Sequence, residues 1–322
     1  MQKKHIQYLN KDISVIGLGT MIFAPEKRDL AFDLMNLYIE KGGNFIDTAE
    51  IYGATEEFGL SEKTIGMWLN SRKKRDDVVI LSKGCIPGTC KALHPQGAEI
   101  SPKGIHDAIS GSLDRLQTKY IDIWMLHRDN PKQPVGPIVD ALNKEIEKGR
   151  ILSYGGSNWT VSRLIEANEY AKKNNLIGMA ASSPHFSLAL ANEPYWPGTV
   201  VTSKEDKKWY MENQFPLIAW SSLGRGFFAR GNSEYTNDKD LVRVFYSNEN
   251  FERLRRAKEL GKRKGLKAIK IALAYITNQK FPAIALVGPE SKEELKSCIK
   301  GAEARLTKDE MDWLDLTTDT LP

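Results

Sequence analysis

Eight short β-rich runs, each followed by an amphipathic stretch, recur along the whole chain, and this alternation limits the available folds more than any other feature. The runs lie at 15–18, 44–47, 78–83, 121–126, 153–157, 179–182, 217–220 and 284–287. Helical periodicity fills the gaps, for example at 29–41, 61–70, 102–117, 138–148 and 161–173. Thr160 is placed to cap the start of the last of these and Gly149 to end the one before it. Strands joined through helices pair in parallel, and no polar linker or break in composition divides the series. The expected fold is therefore α/β, a single (β/α)8 TIM barrel domain over residues 1–322, rather than two doubly wound domains. Ahead of it, 5–9 and 13–14 around Asn10, Lys11 and Asp12 read as an N-terminal β-hairpin closing the barrel bottom. Two long loops, 84–100 and 184–202, follow the third and sixth runs, on the face where such barrels build their sites.

With 41% hydrophobic and 27% charged residues in 322, the chain can bury a full core. Its formal charge of +5 is spread over short runs such as 72–75 and 262–264, which read as solvated helix ends, so no nucleic-acid partner is expected. No stretch approaches the roughly 18 apolar residues of a membrane helix, and 1–10 lacks the apolar centre of a signal peptide. A cytoplasmic protein is expected, with no membrane partner. Cys85, Cys90 and Cys298 are odd in number and lack metal spacing, which suits a reducing compartment.

In a parallel barrel the residues finishing each strand converge on one rim. Asp47 and Tyr52 follow the second run, Lys83 ends the third, His127 follows the fourth, and Ser157 and Asn158 follow the fifth. Taken singly, each has a plainer reading: a turn-forming Asp, a solvated Lys, a packing Tyr, a core His. Together they form a chemical set. A tyrosine of pKa about 10 needs a cation against it to act as an acid near neutrality, and a lysine beside an aspartate supplies one without an uncompensated buried charge. Asp47 would pair with Lys83, Lys83 would lower the proton affinity of Tyr52, and Tyr52 would protonate an oxygen becoming an alkoxide, with His127 orienting or sharing that proton. Carbonyl reduction by hydride from a nicotinamide demands such a donor.

The stretches carrying these residues are IGLGTM at 16–21, GGNFIDTAEIYG at 42–53, LSKG at 81–84, YIDIWMLHR at 120–128, YGGSNW at 154–159, AWSSLGRG at 219–226 and IALVGPESKEELKS at 284–297. Through them nearly the whole chain resembles the aldo-keto reductase family. The resemblance implies a catalytic tetrad of Asp47, Tyr52, Lys83 and His127, with Tyr52 the general acid, and a barrel that binds extended NAD(P)H without a Rossmann domain. It also implies that Gly19, Thr20 and Met21 flank the nicotinamide ribose, that Ser157 and Asn158 hold the carboxamide, and that Trp220 stacks on the ring. Where the family usually has a glutamine, Ser183 stands, a shorter group able to bond the carboxamide. Ser221, Leu223, Arg225 and Gly226 would lie over the pyrophosphate. At the adenosine end the alignment offers Gly288, Ser291 and Glu294, with Glu290 nearby, where NADP-specific members place a lysine and an arginine. An acid there suits a free 2′-hydroxyl better than a 2′-phosphate, which leans the reading to NAD over NADP, although Lys292 or Lys296 could serve a phosphate.

The substrate side is least constrained. Phe23, Trp159, Trp196 and its neighbours in 194–197 should overhang the nicotinamide, with Tyr52, His127, Arg128, His94 and Asp129 supplying polar contacts. Aromatic faces beside mixed-sign polar groups favour a sugar or sugar-derived carbonyl. The expected activity is reversible reduction of an aldehyde or ketone to an alcohol. The alternatives are a cofactor-binding regulatory protein of the same fold, as in the potassium-channel β subunits that resemble the family, and a metal-dependent barrel isomerase or lyase. Five histidines, one of them ending a strand, and no metal-ligand spacing speak against the last. The sequence leaves oligomeric state open.

Overall fold

The computed structural model describes residues 1–53, 58–72, 74–87 and 99–322. The chain enters through an antiparallel hairpin, β1 (Lys3–Lys4) against β2 (Ile13–Ser14). The expected first arm, 5–9, is instead a turn with Tyr8 at φ 67°, because Ile6 and Leu9 drop into the barrel interior rather than continuing a strand.

Eight parallel strands then close into a barrel: β3 (Ile16–Gly19), β4 (Phe45–Asp47), β5 (Val79–Gly84), β6 (Ile121–Leu126), β7 (Ile151–Ser157), β8 (Ala181–Ser183), β9 (Leu217–Ala219) and β10 (Ala283–Val287). Sequential strands are neighbours, and β10 pairs with β3 through Ala285–Ile16 and Val287–Leu18 to close the ring. All eight expected strands are present. The sixth begins two residues later than its apolar run, and Trp220 lies just beyond β9.

The outer layer comprises α1 (Arg28–Glu40), α2 (Leu60–Arg72), α3 (Pro102–Leu116), α4 (Val135–Glu147), α5 (Val161–Lys173) and α6 (Lys204–Asn213). Between β9 and β10 run α7 (Phe227–Arg230), α8 (Lys239–Phe245), α9 (Asn248–Lys264) and α10 (Ala268–Thr277). After β10 come α11 (Lys292–Ala302) and α12 (Lys308–Leu314). As expected, the Thr160 hydroxyl accepts from the Arg163 N–H at the start of α5, and Gly149 takes the left-handed conformation after α4. None of the helices among the described residues is long and apolar enough to cross a membrane.

Two apolar layers hold the fold. Strand alternation sends one set of residues outward against the helices and the other inward. The inward set includes Phe45, Val79, Leu81, Ile123, Met125, Ala181, Ile218, Ile284 and Leu286, sealed below by Ile6, Leu9 and Ile13 of the hairpin segment. Each such burial stabilises by about 1.5–3 kcal/mol per large aliphatic or aromatic side chain. Gly17 is part of that packing, since a Cβ there would lie 2.6 Å from the Phe45 ring.

Candidate active site

The inward phase of the barrel selects the rim residues. Counting two onward from the last inward core residue gives Asp47 after Phe45, Lys83 after Leu81, His127 after Met125, Ser183 after Ala181, Trp220 after Ile218 and Gly288 after Leu286. Gly19 follows Gly17 in the same way. Asp47, Lys83 and His127 are therefore brought together by register, which pairs Asp47 with Leu81 and Lys83 with Met125.

Tyr52 arrives by a turn. After β4 the backbone N–H groups of Thr48 and Glu50 donate to the carbonyls of Leu81 and Lys83, at 2.8 and 2.9 Å, and Tyr52 N–H closes on Ala49 at 3.0 Å. Gly53 completes the turn at φ 112°, where a Cβ would lie 2.6 Å from Ser61 N, so no other residue fits without rearrangement. The Thr20 hydroxyl donates to the Asp47 carbonyl at 2.8 Å and lies 2.6 Å from that of Ser61. Thr20 is thus fully buried and anchors the end of β4, while Met21 beside it is exposed.

The Lys83 ammonium has three acceptors for its three hydrogens: Asp47 Oδ1 at 2.5 Å, the Thr48 carbonyl at 2.8 Å and the Tyr52 hydroxyl at 3.4 Å. Lys83 and Asp47 are both buried. Burial favours a neutral amine, but Asp47 and Tyr52 together outweigh it and raise the Lys83 pKa. Burial pushes the Asp47 carboxyl up against the opposing pull of Lys83. As expected, Lys83 lowers the proton affinity of Tyr52, but burial acts against it. Burial raises the Tyr52 pKa more than Lys83 and Arg128 lower it, so Lys83 offsets a desolvation penalty and the phenol stays protonated. The His127 ring stands edge-on to Tyr52, centroids 5.8 Å apart at 77°. Burial first, then Lys83 and Arg128, hold its pKa well below the usual 6.5, so this imidazole is neutral.

On the opposite rim, the Ser157 hydroxyl donates to the Ser183 carbonyl at 3.1 Å and the Ser183 hydroxyl to the Ile218 carbonyl at 2.8 Å, leaving oxygen lone pairs. Asn158, at φ 59°, donates to the His127 carbonyl and to Ser157, and accepts from Val200 N–H. Trp220 keeps a buried indole N–H without a partner among the described residues. Beyond it Ser221 at φ 48°, Arg225 at φ 51° and Gly226 at φ 86° wind a tight loop, whose single 3-10 turn spans Gly224–Gly226 after Leu223. The Ser222 hydroxyl ties this loop to the Leu286 carbonyl at 2.7 Å. The Arg225 guanidinium lies over the rings of Tyr195 and Trp196, at 4.5 and 5.3 Å. Ser291 caps α11, accepting from Glu294 N–H at 3.2 Å, and the Glu294 carboxylate accepts from Glu290 N–H at 2.8 Å. The acid read as a ribose partner is therefore occupied at a helix start, which removes the ground for leaning to NAD.

Two substrate-side residues are placed otherwise than expected. Phe23 is 2% exposed and Trp159 1%, both within the layer between barrel and helices. Trp159 packs over Gly156 and under the Arg163 guanidinium, 5.1 Å from its ring. Arg128 is half-buried and donates to the His127 carbonyl at 2.9 Å. Asp129 is held by Arg163 at 2.9 and 3.2 Å. Trp196 is 38% exposed and lies 5.7 Å from Trp220. His94 lies outside the described residues.

His185 was missed. It continues the inward phase 181, 183, 185, its ring lies 5.0 Å from Trp220, and its buried Nε2 has no partner among the described residues. That phase was the available signal, hidden because Pro184 interrupts the strand.

A model of the aldo/keto reductase family matches residues 15–317. The chain is 28% identical to the protein Tas of Escherichia coli (strain K12), over 96% of this chain and 95% of Tas. It is 27% identical to YrpG, an uncharacterized oxidoreductase of Bacillus subtilis, covering 92% of this chain and 90% of that one. Norsolorinic acid reductase stcV of Emericella nidulans is 26% identical, with 96% and 79% covered. The crystal structure of the thermostable aldo-keto reductase Tm1743 in complex with the inhibitor epalrestat superposes with a TM-score of 0.74 over 99% of this chain and all of that one. At 22% identity this likeness shows the fold.

Proposed function

Because the chain belongs to the aldo/keto reductase family, a membership that makes it an oxidoreductase using a nicotinamide cofactor, we propose that it reversibly reduces an aldehyde or ketone with Tyr52 as proton donor. The contact between the Lys83 ammonium and both Asp47 and Tyr52 carries this reading. The rim also suits the cofactor. Gly19 and Gly288 face each other where β3 and β10 end, and a Cβ on Gly288 would meet nothing nearer than the Gly19 carbonyl at 3.9 Å. That leaves open space for a close approach. Ser157, Asn158 and Ser183 would hold the carboxamide, Trp220 would stack on the ring, and Arg225 with Gly226 would lie at the pyrophosphate.

When bound, the reduced cofactor supplies hydride to the carbonyl carbon. This chain's own groups handle the oxygen. Tyr52, protonated at neutral pH, donates to the carbonyl oxygen as negative charge develops. Lys83, cationic and held by Asp47, stabilises the phenolate left behind, and water returns the proton. His127, being neutral, can offer one ring N–H to the same oxygen and so orient it without competing as an acid.

Of the four aromatics behind the sugar-derived carbonyl, Phe23 and Trp159 are buried, while Tyr195 and Trp196, packed against each other, still support it. NADH and NADPH should be titrated separately against tryptophan fluorescence, then each tested for carbonyl-dependent oxidation on a panel of aldehydes and ketones. Binding followed by turnover supports the reading. Binding with no turnover on any carbonyl would instead favour the regulatory alternative.

A further inference from the structure

Among the described residues, Arg128 is a cation at the rim that has no counter-ion. Its Nη1 donates to the His127 carbonyl at 2.9 Å, which holds the guanidinium at the end of β6, against the backbone of a residue that must receive the carbonyl. Of its five N–H donors, one has a partner among the described residues, the His127 carbonyl. The adjacent carboxylate, Asp129, cannot neutralise it, because both Asp129 oxygens are taken by Arg163. No other carboxylate among the described residues pairs with Arg128. Among the described residues, Lys83 is ion-paired with all its donors used, and Arg225, which lies over Tyr195 and Trp196, is the group assigned above to the pyrophosphate.

Half-buried charge without a counter-ion is unfavourable, and burial already lowers the Arg128 pKa. The guanidinium is also confined. Gly198, at φ 70°, passes over it at a distance where a Cβ would lie 3.9 Å from Arg128 Cδ and Nε, and Trp196 of the same loop reaches Trp220. A planar fork with free donors, confined at the strand end that carries His127, is matched by a carboxylate.

We propose that the substrate is an anionic carbonyl compound, an aldehyde or ketone bearing a carboxylate that Arg128 holds while Tyr52 and His127 meet the carbonyl oxygen. This rests on the carbonyl-reductase reading. Arg128 takes no part in bond changes: the carbonyl carbon gains a hydride from the reduced nicotinamide, its oxygen gains the Tyr52 proton, and the oxidised cofactor leaves.

The test compares 4-carboxybenzaldehyde with 4-nitrobenzaldehyde, its neutral near-isostere, in the wild type, Arg128→Met and Arg128→Lys, each with saturating cofactor. The expected result is that Arg128→Met shifts the ratio of kcat/KM for the two aldehydes against the carboxylate by at least about tenfold, mainly through KM, and that Arg128→Lys restores part of it. Equal losses on both aldehydes would overturn the proposal while leaving the reductase reading intact. If the wild type reduced neither aldehyde, the reductase reading would rest on the wider carbonyl panel, and equilibrium binding of 4-carboxybenzyl alcohol, followed by tryptophan fluorescence, would decide the anion site. Binding abolished in Arg128→Met supports the anion site, and binding that is absent in the wild type or unchanged in the variant overturns it.

Discussion

Lys83 illustrates the chemistry at the scale of one residue, because each of its ammonium hydrogens has an acceptor and two of those acceptors belong to the proposed proton donor and its counter-ion. Replacing Lys83 with Met leaves Asp47 buried and unpaired, a change that costs about 3–5 kcal/mol where buried pairs are broken from one side. The double variant Asp47→Asn with Lys83→Met should recover most of that stability in urea unfolding but none of the activity, since the phenolate would still lack its cation. Recovery of turnover with stability would contradict the assignment. Residue identity and phase were legible because a parallel barrel sends every second side chain inward, so Asp47, Lys83 and His127 could be placed by counting. The sign of the Tyr52 shift was not, since burial and Asp47 together outweigh Lys83 and Arg128, and burial is a property of the surrounding fold.

At the scale of elements, the strand ends were more legible than the loops they carry. Phe23 and Trp159 fall in segments that reach the rim, yet their rings turn outward into the helix layer, a direction that sequence spacing does not encode. Glu294 is a similar case. Its carboxylate closes on Glu290 N–H across Ser291, the arrangement that starts α11. Glu294→Ala should therefore cost about 0.5–2 kcal/mol of stability, in the range of lost helix caps, and shift the ratio of NADH to NADPH affinities by less than about threefold. Thermal unfolding and the two titrations check this. A shift of about tenfold or more towards NADPH would return the residue to a role at the 2′ position.

For the whole molecule, closure of the barrel between β10 and β3 brings residues from 19 to 288 to one mouth, which is why a site scattered through the sequence is local in space. The hairpin arm was misplaced for a related reason, since Ile6 and Leu9 obey the demand of the barrel floor rather than their own alternation. The fold also predicts acid sensitivity. Burial lowers the His185 pKa from the ordinary 6.5 to about 4, so as pH falls the unfolded chain takes up this proton before the native one does. The stability that neutral His185 contributes is complete above about 6.5 and falls as pH approaches 4, by about 2 kcal/mol at pH about 5. Urea unfolding at pH about 7.5 and about 5 should show that loss in the wild type and a smaller one, by that amount, in His185→Phe.

The most direct measurement is carbonyl reduction by Tyr52→Phe at saturating cofactor, with cofactor affinity followed in parallel by tryptophan fluorescence. The ring and its packing remain and the hydroxyl is removed. The expected result is a fall in kcat of about 10²–10⁴-fold, the range for a lost general acid, with cofactor Kd within about threefold of the wild type. Turnover within about threefold of the wild type would contradict the assignment of Tyr52 as the proton donor.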